Sequence, residues 1–178
     1  IKTAFVADAD MFQRIVDKGR CFKQAGQIDP RALKRCLGLK AAIVLSDERE
    51  NGRRVVLNFG HTVGHAIEKA SNYAIPHGYA VSMGMALEAE LACRLTGFPV
   101  EQRDALLTML RGLNLPCVPA VDFEAAAGFL EFDKKRRAGE LRFALPKAIG
   151  LMAGYDSGFT VPVSIEELGK VWDEVRGK

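Results

Sequence analysis

All three histidines of this 178-residue chain fall in one neighbourhood. His61 and His65 lie in Asn58-Phe59-Gly60-His61-Thr62-Val63-Gly64-His65-Ala66-Ile67-Glu68, and His77 follows in Pro76-His77-Gly78. Histidine is the commonest side-chain ligand of a transition metal and exchanges protons near neutral pH. A spacing of four puts His61 and His65 on one face of a helix, and a turn brings His77 back towards them. Three neutral imidazoles, or two with a carboxylate, hold a divalent cation and leave a position open for substrate. The protease version of such a motif needs a Glu directly after its first His. Thr62 stands there instead, so peptide hydrolysis is disfavoured. Glu68 either fixes an imidazole tautomer or lies exposed on its helix. Asn58 either caps that helix or donates to a substrate oxygen. Gly60 and Gly64 lower helix propensity, which points to a close approach of either another helix or a ligand.

These side chains need a scaffold, and the sequence predicts a mainly α domain. A helix over 60–70 carries His61 and His65, and a longer one over 79–96 is stopped by Gly97 and Pro99. Gly84, Ala86, Ala89 and Ala92 leave that second helix open to close packing. Upstream, one helix covers 1–7, and a second is capped by Asp8 or Asp10 and ends before Gly19. Asp29-Pro30 opens a third, which runs to about residue 45. Glu50-Asn51-Gly52 is a turn, and 53–57 is a short apolar run of either type. Helices over 100–110 and 122–132 follow. Leu141-Arg142-Phe143-Ala144-Leu145 alternates like a strand, and 149–153 is placed to pair with it as a small β hairpin. Ser164-Ile165-Glu166-Glu167 has capping-box spacing and opens a last helix through Val171 and Trp172.

Composition narrows the function classes. The chain is 48% hydrophobic and 26% charged, an ordinary globular balance, and its net charge of +3 is too small to argue for nucleic acid. Arg53-Arg54 and Lys134-Lys135-Arg136-Arg137 are either solvated faces or grips for a phosphate or carboxylate. Cys21, Cys36, Cys93 and Cys117 make no C-x-x-C pair and read as small apolar residues of a reducing compartment. No apolar run is long enough to span a membrane, and no signal peptide is evident. The chain opens on Ile1 without an initiator Met and already in helical pattern, so it reads as a piece of a longer protein.

The run Arg54-Val55-Val56-Leu57-Asn58-Phe59-Gly60-His61-Thr62-Val63-Gly64-His65-Ala66-Ile67-Glu68 resembles the signature of 3-dehydroquinate synthases. Lys40, the segment Asp47-Glu48-Arg49-Glu50-Asn51-Gly52-Arg53, His77-Gly78 with Ala80-Val81 and Gly84-Met85, Asp133-Lys134-Lys135 and Ile1-Lys2 resemble further family motifs. The resemblance covers the whole chain and implies the multi-helix C-terminal domain of the dehydroquinate synthase-like fold. The N-terminal NAD-binding domain is then absent. Such enzymes convert 3-deoxy-D-arabino-heptulosonate 7-phosphate into 3-dehydroquinate and phosphate in the shikimate pathway. The resemblance implies transient oxidation by NAD, loss of phosphate, re-reduction, ring opening and aldol closure, with a Zn2+ (or Co2+) ion on the substrate hydroxyls.

Residue by residue, the resemblance makes His61 and His77 metal ligands and His65 a substrate-contacting proton relay. Lys40, Arg54 and Asn58 match substrate-binding residues, with Asn58 and Lys2 also in the catalytic set. One of Lys134 and Lys135 matches a lysine that reaches the substrate's anionic end, with Lys135 favoured. The family's third ligand is a Glu that would fall just upstream of Ile1, and Tyr79 stands where the family often has Glu. The expectation is therefore an isolated chain that binds zinc weakly and is inactive. The intact enzyme is expected to be cytoplasmic and homodimeric, with a phosphorylated sugar acid as substrate and no nucleic-acid or membrane partner. Alternatives are a related sugar-phosphate cyclase of the 2-deoxy-scyllo-inosose synthase kind, and a standalone helical binding module with a vestigial metal site. A metal-dependent polyol dehydrogenase shares the two-domain plan, but Lys40, Arg54 and Lys134-Lys135 favour an anionic substrate.

Overall fold

The structure, a computed structural model, describes residues 1–17, 30–49, 52–136 and 141–177, with the backbone alone at 131–136. Gly19, Cys21, Asp29, Glu50, Asn51 and the side chains of Lys134 and Lys135 therefore lie outside the described residues. The α-helices are α1 (Lys2–Ala7), α2 (Ala9–Asp17), α3 (Pro30–Ser46), α4 (His61–Ala70), α5 (His77–Leu95), α6 (Val100–Gly112), α7 (Phe123–Arg136) and α8 (Ile165–Gly177). A 3-10 segment, Arg53–Asn58, leads into α4.

The chain is organised around α5. From Ala80 to Ala89 every residue of this helix is buried, as its near-continuous run of small and apolar side chains requires. Helices α4, α6 and α8 pack against it, and α7 closes over α4 and α8. At one end of the core Phe5 of α1 stacks on Phe59 with ring centroids 5.0 Å apart and meets Phe12 and Phe98 edge-on. Elsewhere in the core Trp172 of α8 lies against Phe123, and its indole N–H donates to the Val121 carbonyl.

The capping signals act as the sequence implies. Asp8 accepts the Met11 N–H at 2.9 Å and so caps α2, and Ser164 accepts the Glu167 N–H at 3.0 Å at the start of α8. Pro30 is the first residue of α3. The apolar run 53–57 resolves as 3-10 helix, and α5 begins at His77, so His77 sits in its first turn.

The tail forms β1 (Arg142–Phe143), β2 (Pro146–Ala148), β3 (Leu151–Met152) and β4 (Val161–Pro162). The hairpin joins β2 to β3 around Gly150, whose φ of 81° makes the tight reversal. The expected strand 141–145 is divided: Arg142 and Phe143 pair with Pro162 and Val161 instead. The hairpin is tied to the helices by the Gly150 N–H donating to the Phe5 carbonyl and by Thr96 Oγ1 donating to the Pro146 carbonyl. No helix among the described residues is long and apolar enough to cross a membrane.

Candidate active site

Three glycines make the site possible. A Cβ on Gly84 of α5 would lie 2.9 Å from both the Gly60 carbonyl carbon and the Gly64 nitrogen, with the Gly60 oxygen nearer still. A Cβ on Gly64 would lie 3.1 Å from Val81 Cα. Thus the close approach implied by Gly60 and Gly64 is made by α5, backbone on backbone. Gly60 adds a second requirement, because it caps α4 with a φ of 79°. At the far end of α4, Asn72 and Tyr73 take φ values of 51° and 60° and reverse the chain. The two helices return antiparallel, and His77 arrives beside His61 and His65.

The imidazoles gather into one cluster. The ring centroids are 5.4 Å apart for His61–His65, 5.4 Å for His61–His77 and 5.8 Å for His65–His77. Both Glu68 oxygens lie 3.1 Å from His77 Nδ1, and the Glu68 side chain is only 12% exposed against 57% for His77. Of the two roles open for Glu68 the structure takes the hydrogen-bonded one, on His77. Ligand atoms of His65, Glu68 and His77 all fall within 4.8 Å of one another. The His61 ring turns elsewhere: Lys2 Nζ lies 3.2 Å from its Nε2 and 3.4 Å from its Nδ1, and Nδ1 is 3.3 Å from the Phe59 carbonyl. Lys2 also donates to the Leu57 carbonyl. It is held there because Phe5, one turn along α1, is stacked on Phe59.

Charge at the site is tuned mainly by burial. Burial, then the Lys2 ammonium, lower the His61 pKa from 6.5 to about 4, so its ring is neutral at physiological pH. Burial also lowers His65 from its ordinary value. Lys2 is lowered by burial to about 8, against the opposing pull of Glu88. Glu88, on α5, is fully buried and pushed up to about 8, although the Gly60 and Val63 N–H groups that it accepts favour its charged form.

The cluster opens into a cavity of about 370 Å3. Asn58, His61, Thr62, His65 and Lys69 form one side of it, and Phe129, Leu130, Arg142, Ala144 and Thr160 line the rest. Arg142 is steadied by Thr160, with Nε donating to Oγ1 at 2.8 Å and Nη2 to the carbonyl at 3.2 Å. Of the residues singled out from sequence, Asn58, His61 and His65 line this cavity, and Lys2 and His77 touch the histidine cluster. Lys40 is exposed on α3 but near enough to Lys2 for its charge to lower that pKa. Arg54 donates from Nη1 to the Glu48 carbonyl at 2.9 Å, and neither Lys40 nor Arg54 is among the described lining residues. Tyr79 is 46% exposed. Sequence reasoning missed Lys69, Arg142, Thr160 and Glu88. Lys69 stands four residues after His65 on α4, so the helical spacing of the histidines could have found it. Arg142 and Thr160 reach the cavity through tertiary packing, and Glu88 reads as an ordinary surface helix residue.

This fold is that of the dehydroquinate synthase-like cyclases. The structure superposes on 2-epi-5-epi-valiolone synthase from Streptomyces hygroscopicus, described with NAD+ and Zn2+ bound, with a TM-score of 0.81 at 22% identity, covering 99% of this chain and 49% of that one. It superposes on 2-deoxy-scyllo-inosose synthase, described with carbaglucose-6-phosphate, NAD+ and Co2+, with a TM-score of 0.70 at 26% identity, covering 82% of this chain and 40% of that one. Residues 1–136 match the family model described as 3-dehydroquinate synthase C-terminal, and the chain belongs to that family. Relatives named 3-dehydroquinate synthase include one from Picosynechococcus, 37% identical over 84% of this chain and 43% of its own length. Another, from Gloeobacter violaceus, is 35% identical over 99% of this chain and 48% of its own length. The chain spans less than half the length of these relatives.

Proposed function

We propose that this chain is the metal- and substrate-binding part of a 3-dehydroquinate synthase. The whole enzyme would convert 3-deoxy-D-arabino-heptulosonate 7-phosphate into 3-dehydroquinate and phosphate in the shikimate pathway of aromatic amino-acid synthesis. The observation that carries this reading is the imidazole cluster of His61, His65 and His77 beside the cavity, with Glu68 behind His77. This donor set suits a divalent ion of the Zn2+ or Co2+ type, because nitrogen donors with a carboxylate behind them are what such ions take.

By the family resemblance His61 and His77 would hold the ion, although the ligand atoms that already lie together are those of His65, Glu68 and His77. When bound it would polarise substrate oxygens as a Lewis acid. NAD, held mainly outside this chain, would supply the transient hydride acceptor. The chain's own residues then have separable tasks. Glu68 accepts the His77 Nδ1 proton, which leaves Nε2 as the free donor of that ring. His65 is exposed and neutral at physiological pH, so it accepts a proton from a substrate hydroxyl and returns it. Lys2 keeps a positive charge against His61 and orients the ring. Lys69 and Arg142, with Asn58, give an anionic substrate its partners on the cavity wall. Lys40, Arg54 and either Lys134 or Lys135 complete substrate binding in this reading. The enzyme works in the cytoplasm as a homodimer, without nucleic acid or membrane.

A second reading, a related sugar-phosphate cyclase, draws on the likeness to 2-deoxy-scyllo-inosose synthase. The test is to assay the full-length enzyme, with NAD and zinc, against heptulosonate phosphate, glucose 6-phosphate and sedoheptulose 7-phosphate. Phosphate release from the first alone supports the proposal. Turnover of either of the others alone replaces it with the second reading, and no turnover of any removes both.

A further inference from the structure

Glu88 has no task in the mechanism above, yet its carboxylate is buried completely inside a helix of small and apolar side chains. A carboxylate in such a place is costly unless specific donors compensate it. Its donors are the backbone N–H of Gly60, 2.6 Å from Oε2, and the backbone N–H of Val63, 3.3 Å from Oε1. These are among the N–H groups that a helix leaves unpaired at its start. The helix is α4, and the two donors flank His61 in sequence.

Glu88 also lies one turn of α5 beyond Gly84, the residue whose missing Cβ lets α5 touch the Gly60 and Gly64 backbone. The first turn of α4 is therefore held at two places on one face of α5. One is steric, at Gly84, and the other is a pair of hydrogen bonds from backbone N–H groups to the Glu88 carboxyl oxygens. His61 follows Gly60 directly and His65 follows Gly64, so both imidazoles leave the backbone at the clamped points. We propose that Glu88 is a positioning residue for the histidine cluster: its buried carboxyl group fixes the start of α4 and thereby the direction in which His61 and His65 enter the cavity. The proposal rests on the reading of that cluster as the catalytic centre.

Glu88→Gln preserves the shape but turns an NH2 group towards one of the two N–H donors, so one anchor is lost. In the full-length enzyme, kcat is expected to fall about 10–100-fold with little change in KM, as when a residue behind a metal ligand is removed. The visible absorption of the Co2+-loaded variant should shift as well, which a purely structural role would not require. A folded Glu88→Gln enzyme with wild-type kcat and an unchanged Co2+ spectrum overturns the proposal. If the variant does not fold, the wild-type protein decides by amide NMR. Gly60 and Val63 protons displaced downfield and protected from exchange support the anchor, and ordinary, fast-exchanging protons refute it. Failure of the wild-type enzyme to turn over any sugar phosphate would instead refute the catalytic reading, and the amide signals would still report on the anchor.

Discussion

Alanine at Gly84 puts the packing argument to a sharp test, because the same chemical change should have opposite signs at two places. A Cβ at Gly84 would sit 2.9 Å from two backbone atoms of α4, about 0.5 Å inside the 3.4 Å at which ordinary contact begins, and nearer still to the Gly60 oxygen. No flexible side-chain end is available to yield, so the two helices must part. Overpacking of this kind costs about 1–3 kcal/mol, and the upper end applies where backbone meets backbone. Ala is a better helix former than Gly by about 1 kcal/mol, which offsets part of the loss. Gly84→Ala should therefore destabilise by about 2 kcal/mol. Gly38→Ala, in α3 with nothing within 4 Å of the added carbon, should be neutral or stabilise by up to about 1 kcal/mol. Urea unfolding measures both, with equal m-values required for the comparison. Because α4 carries His61 and His65, Gly84→Ala should also lower kcat/KM by at least about tenfold, given the sensitivity of catalysis to ångström-scale misplacement. A Gly84→Ala protein as stable and active as the wild type would refute the close contact and the reasoning built on it.

Glu68→Gln should weaken Zn2+ binding about 10–100-fold, read by competition with a chromophoric chelator; unchanged affinity would detach the Glu68–His77 bond from metal binding. Asp8→Ala removes the cap of α2 and should cost about 1 kcal/mol. Burial works to raise the Asp8 carboxyl, but the Met11 N–H and Arg35 outweigh it and hold it below its usual range. Its contribution is therefore full above the ordinary carboxylate range and lost as pH falls through the lower folded value. The gap between wild type and variant should be constant near neutrality and close in acid; a gap that widens in acid contradicts the assignment. Lys2→Met takes away the largest cause, after burial, that holds His61 at about 4. In the metal-free protein, NMR titration should find His61 moved upward but still below 6.5, and no movement would separate Lys2 from the His61 ring.

The sequence was most informative where structure is local. The 3.6-residue rhythm, Pro30, Asp8 and Ser164 mark helices and caps whose causes lie within a few residues, and those elements stand as expected. The four-residue spacing of His61 and His65 likewise implies a shared face, and the return of His77 needed only one turn. What stayed illegible is long-range. Arg142 and Phe143 pair with Pro162 and Val161, beyond the hairpin, and nothing in an alternating pattern names its partner strand. The small residues on α5 implied a close neighbour, but only the fold shows that the neighbour is the Gly60–Gly64 backbone. Glu88 is hidden for the same reason, since its donors lie more than twenty residues away.

The reversal at Asn72 and Tyr73 has a consequence for how such a cavity can change. It makes α4 and α5 one helical hairpin, and His61, His65, Glu68 and His77 all belong to it. Their backbones are brought together within one hairpin, whose closure costs little chain entropy. Phe129, Arg142 and Thr160 reach the cavity from α7 and the tail, while the histidines all belong to the hairpin. The molecule thus keeps its reactive groups and the surface facing them on separate stretches of chain. Substitutions in the tail can remould the cavity while the imidazoles stay where the hairpin puts them.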